Sequence, residues 1–79
     1  MADAGNVPDH LQQLDADDVD CVVRIIRSEI SRYIMPHGLA LELEAFAETR
    51  TRHDAQRLAN ALRHAYGRTG LALEVEDLL

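Results

Sequence analysis

The sequence predicts an α+β domain with the order helix, strand, helix, strand, and three observations predict it. Two stretches carry apolar residues at helical spacing and open on capping residues. Each is followed by glycine. Each glycine then opens a near-identical heptapeptide, GLALELE at 38–44 and GLALEVE at 70–76, whose apolar residues recur at every second position. Two strands make a poor sheet on their own, so the sheet is expected to be completed by a second copy, giving a homodimer. The alternative is an all-α helical bundle, because Leu, Ala and Glu favour helix over strand.

Residues 1–14 read as a flexible acidic arm, mixing Gly, Asn, Pro and Gln with little apolar content. Residues 15–79 read as one small domain. Asp15 fits an N-cap, Asp18 follows three positions on, and Leu14 can staple onto Val19. The helix body, about 16–35, aligns Val19, Val22, Val23, Ile26, Ile30, Tyr33 and Ile34 along one stripe, with Arg24, Arg27, Ser28, Ser31 and Arg32 opposite. Pro36 and Gly38 are expected to end it. Next, Leu39, Leu41, Leu43 and Ala45 alternate with Ala40, Glu42, Glu44 and Phe46, the pattern of a half-buried strand. Thr51 and Asp54 offer a second capping box for a helix at about 52–67, with Ala55, Leu58, Ala59, Leu62, Ala65 and Tyr66 as its stripe. Leu71, Leu73 and Val75 then alternate with Ala72, Glu74 and Glu76 as a second strand. A shift of thirty-two residues lays Ile26 on Leu58, Ile30 on Leu62 and Ile34 on Tyr66, so the helix–strand unit reads as repeated.

Composition narrows the functional classes. The formal charge of −6 is unevenly spread: residues 1–20 hold six Asp and no Arg, while residues 21–79 balance eight Arg against eight acids. The single cysteine, Cys21, makes no internal disulfide and no useful metal half-site. No apolar run approaches the roughly 20 residues that span a bilayer, and the acidic opening is unlike a secretory leader. A cytoplasmic protein without membrane attachment is expected. The acidic total, the absence of Lys and the three aromatic residues disfavour nucleic acid.

Two clusters invite chemistry. Glu42, Glu44, Glu74 and Glu76 would share one face of adjacent strands, and such a set suits a hard cation. Without a calcium-type loop they read as a solvated face. His53, Arg57, His64 and Arg68, at spacings of four, seven and four, share a helix face. With Arg50, Arg52 and Arg63 nearby, they form the candidate surface for an acidic partner. No nucleophile–base pair, CxxC or glycine-rich phosphate loop is present, so neither an enzyme nor a cofactor is expected. The leading expectation is a non-enzymatic protein–protein interaction module that binds through this Arg/His face. The Asp-rich arm would then compete for the same arginines. An antitoxin-type neutraliser of a basic toxin is a further possibility.

From Val19 onward the chain also resembles an acyl carrier protein. VDCVVRIIRSEI is similar to the first carrier helix, and LANALRHAYGRTGLALEVEDLL to the second carrier helix with its following Tyr-Gly turn and acidic segment. The resemblance implies a four-helix bundle that carries acyl groups on phosphopantetheine, attached to the serine of an Asp-Ser-Leu motif. At that place this chain reads TRHDAQRL, with Ala55 after Asp54 and no serine. The last carrier helix would fall beyond Leu79. The resemblance therefore implies a non-carrying relative serving a synthase.

Overall fold

A computed structural model of the chain describes Pro8, residues 11–31 and residues 33–79. Most of the expected acidic arm lies outside the described residues. The order is α1 (Ala16–Glu29), α2 (His37–Thr49), α3 (Arg52–Asn60), continued by a π-helical turn (Ala61–Ala65), and α4 (Thr69–Glu76). The expected α+β architecture is overturned. Both GLALE segments are helical, and the described residues contain no strand beyond an isolated antiparallel bridge between Gln13 and Thr51. The all-α alternative is the one observed, and the sheet-completing homodimer loses its basis.

The physical reason lies in what each heptapeptide must bury. In α2 the residues facing the core are Leu39, Leu43 and Phe46, at helical steps of four and three, while Leu41 is 54% exposed. In α4 Leu71, Ala72 and Val75 are buried and Leu73 points outward. Alternation in the sequence thus concealed a helical subset with one surplus leucine. A helix satisfies its own backbone, whereas a lone pair of strands leaves unpaired edges, and Leu, Ala and Glu prefer the helix in any case.

The caps read from the sequence are present. The Asp15 carboxylate accepts from the amides of Asp17 and Asp18 at 2.8 and 3.3 Å, and Asp17 and Asp18 suit the positive end of the helix dipole. The Thr51 hydroxyl accepts from the Asp54 amide at 3.2 Å. Asp54 in turn accepts from the Thr49 hydroxyl, tying the end of α2 to the start of α3. Arg50 between them is left-handed at φ 56 and donates its N–H to Phe46 O, closing α2.

α1 ends six residues before the expected boundary. Ile30 is extended, and the Ser31 hydroxyl accepts the Tyr33 amide while its carbonyl accepts that of Ile34. This local turn competes with a further helical turn. Pro36 does not stop α1; it is the N-cap of α2, where a residue without N–H costs nothing. Tyr33 and Ile34, expected in the core, are 88% and 71% exposed.

α3 is the central helix, packed against both α2 and α4, and α1 lies across α2 and α4. One cluster fills the interior: Val19, Val22, Val23, Ile26 and Ile30 meet Leu39, Leu43, Phe46, Ala55, Leu58, Ala59, Leu62, Leu71, Ala72 and Val75. No side chain beyond aliphatic residues and Phe46 is needed, and no charged or polar residue is buried among the described residues. Past Asn60 the helix widens: the Tyr66 amide reaches Ala61 O at 3.1 Å, and Gly67 at φ 65 reverses the chain into α4. The widened turn brings the Tyr66 hydroxyl over Gly38, where a Cβ would lie 2.9 Å away. Residues 12–14 run along the α2–α3 corner: Leu14 N–H donates to Arg50 O at 2.7 Å and Arg52 N–H to Gln12 O at 3.0 Å. The Gln13 side chain donates to Thr49 O at 3.1 Å.

Candidate functional site

α3 rises 1.5 Å and turns about 100° per residue, so His53, Arg57, Asn60 and His64 fall on its outward side, away from the buried Ala55, Leu58, Ala59 and Leu62. The seven sequence-selected residues do not form one open basic surface. Arg57 pairs with Glu42 of α2 at 3.0 Å. Arg63 makes a two-pronged pair with Glu76 of α4, at 2.5 and 2.7 Å. Arg52 donates to the backbone carbonyl of Leu79 at 2.9 Å. Arg50 sits half-buried at the α2–α3 corner, and His53, His64 and Arg68 are exposed.

The Arg63–Glu76 pair shifts the titration of both its members. The guanidinium hydrogen bonds hold the Glu76 carboxyl below its ordinary value, and the carboxylate raises Arg63 further above its own. Two-pronged geometry makes this a charge-assisted clamp, unlike the single contact of Arg57. These arginines therefore fasten α3 to its neighbours. The carboxylates that engage them are Glu42 and Glu76; of the Asp-rich opening, Asp15 caps α1, and Asp17, Asp18 and Asp20 are exposed. Asp3 and Asp9 lie outside the described residues.

The glutamate set disperses. Glu42 and Glu76 are held by arginine, whereas Glu44 and Glu74 face solvent on different helices. Among the described residues no group of His, Cys, Asp or Glu is arranged to hold a metal ion. Cys21 is exposed, as are Ser28 and Ser31. No helix of the described residues is long and apolar enough to cross a membrane.

The position after Asp54, where the carrier motif places its serine, has a definite environment. Ala55 is 0% exposed, enclosed in the core from the first turn of α3. The side chain there is directed into the core, and the residue is alanine rather than serine. No family model, curated protein or solved structure matches the chain.

One feature of the surface escaped the sequence reading. A cleft of about 720 Å³ opens between the end of α1, the 31–36 turn and α2, with Arg27, Met35, Leu43 and Glu44 in its walls. The signals that could have found it were Ser31 and Pro36. The Ser31 turn leaves Tyr33 and Ile34 outward after α1 has ended, and Pro36 opens α2 directly after them.

Proposed function

We propose that the chain is a carrier-like helical docking module that holds no phosphopantetheine and acts by binding an acidic protein partner. The observation that carries this reading is the burial of Ala55 within an all-helical bundle. A residue that receives a prosthetic group must be reached by a modifying enzyme. Here the corresponding side chain is a methyl group packed among Leu58, Leu62 and the rest of the core. What remains for function is surface. His53, His64 and Arg68 are exposed on or just beyond α3 with Arg50 at its corner, and the arginines of this surface favour a carboxylate-rich partner.

Intact-mass measurement after incubation with a phosphopantetheinyl transferase and coenzyme A tests the reading. The native chain is expected to keep its mass, and so is the Ala55→Ser variant, because its hydroxyl lies inside. A mass gain in the native chain would make it a carrier and overturn the proposal. A gain only in Ala55→Ser would overturn the argument from burial.

A further inference from the structure

The cleft at the end of α1 is built to be covered. Its floor is apolar, with Met35 and the nearly buried Leu43, and it is open to solvent on a molecule of 79 residues whose core is small. The Ser31 turn sets Tyr33 in the wall of the cleft and leaves Ile34, its neighbour in the chain, exposed between the two lining residues Tyr33 and Met35. A single exposed leucine such as Leu73 is ordinary. Two large exposed groups next to an apolar cleft form a plug and a socket on the same surface.

The charges at the cleft choose the occupant. Arg27 lies on the α1 wall and Glu44 on the α2 wall, and neither is in an ion pair among the described residues. A foreign acidic partner would meet Glu44, and a foreign basic partner would meet Arg27. A second copy related by a two-fold axis satisfies both, because such an interface brings residue i against j and j against i. The acidic first turns of α1 do not oppose this approach. Asp17, Asp18 and Asp20 lie about 10–15 Å along the helix from Arg27, at or beyond the screening length of physiological salt. We infer that the chain forms a two-fold homodimer through this cleft, with Ile34 of each copy entering the socket of the other and Arg27 opposing the partner's Glu44. This contact is independent of the docking face on α3 and needs no sheet.

Analytical ultracentrifugation of the full chain tests it. The native protein is expected to sediment as a concentration-dependent dimer. Arg27→Glu and Glu44→Arg, both exposed substitutions, are each expected to weaken the dimer at least about tenfold. Mixing the two variants is expected to restore a one-to-one heterodimer, because both opposed pairs then join opposite charges. A pair within one copy could not produce that rescue. Ile34→Ser should abolish the dimer with the helical circular dichroism unchanged, giving a readout free of charge effects. A monomeric native protein overturns the inference, as does a dimer indifferent to these variants or a mixture that stays monomeric.

Discussion

Truncating the leucines of one heptapeptide separates a helix from a strand in energetic terms. In α2, Leu43 is 2% exposed and Leu41 is 54% exposed. Leu43→Ala removes three buried carbons, one methine and two methyls, from the core face of α2, at a cost of about 3–4 kcal/mol. Leu41→Ala sits on the surface and should change stability by no more than about 0.5 kcal/mol. A chain of this length has a total stability of roughly 4–12 kcal/mol, so the first substitution removes a large share of it. Its midpoint temperature should fall by roughly 12–30 °C, and that of Leu41→Ala should move by a few degrees at most. Phe46→Ala, at 0% exposure, should cost about 3–5 kcal/mol. Urea unfolding followed by circular dichroism measures all three at one protein concentration. In a strand, Leu41 and Leu43 would share the buried face and Phe46 would stand with Glu42 and Glu44 on the other. Equal losses for the two leucines with a small loss for Phe46 would refute the helical packing.

Two further perturbations act at the ends of α3. Arg50 is a non-glycine residue in the left-handed region, so Arg50→Gly should raise stability by about 0.5–1 kcal/mol, read in the same urea titration. Glu76 has a depressed carboxyl pKa in the folded chain because of Arg63, so its contribution is present above the unfolded value and fades as pH falls through the folded one. The protection factors of the α4 amides, the observed hydrogen-exchange rates divided into the intrinsic rates at each pH, should therefore fall on acidification below the ordinary carboxylate range. Glu76→Gln should make exchange at neutral pH faster and remove that part of the acid dependence.

Local chemistry was legible wherever neighbours in sequence are neighbours in space. Asp15 and Thr51 cap the helices that the spacing assigned to them, and Val19, Val22, Val23 and Ile26 line the core as their period requires. The GLALE segments were misread because apolar residues at every second position contain the four- and three-residue steps of a helix within them. Only the neighbouring elements decide whether Leu41 is needed inside. Tyr33 and Ile34 continued the stripe of α1, but Ser31 supplied a competing turn and Pro36 a new helix start. The Arg/His face was legible as a face. Its partners were not, because Glu42 and Glu76 lie fifteen and thirteen residues from the arginines they hold, a distance that only the packing of α2 and α4 closes.

Those two pairs give the charge pattern of the chain a structural meaning. Arg57 and Arg63 are six residues apart, which at about 100° per residue places them on different flanks of α3. One flank meets α2 through Glu42 and the other meets α4 through Glu76. A basic helix between two acidic ones is thus matched inside the same molecule, and the two similar heptapeptides supply its two carboxylates. The two engaged glutamates are not equivalent, since Glu42 aligns with Glu74 and Glu76 with Glu44, but the apolar positions correspond: Leu39 and Leu71 are buried, Leu41 and Leu73 exposed, Leu43 and Val75 buried, with α2 starting at His37 and α4 at Thr69. The heptapeptide therefore encodes the same short helix twice, on opposite sides of α3. It follows that a partner recruited by charge meets Arg50 and Arg68 without competition from these two glutamates, whereas at Arg63 it competes with the two-pronged Glu76.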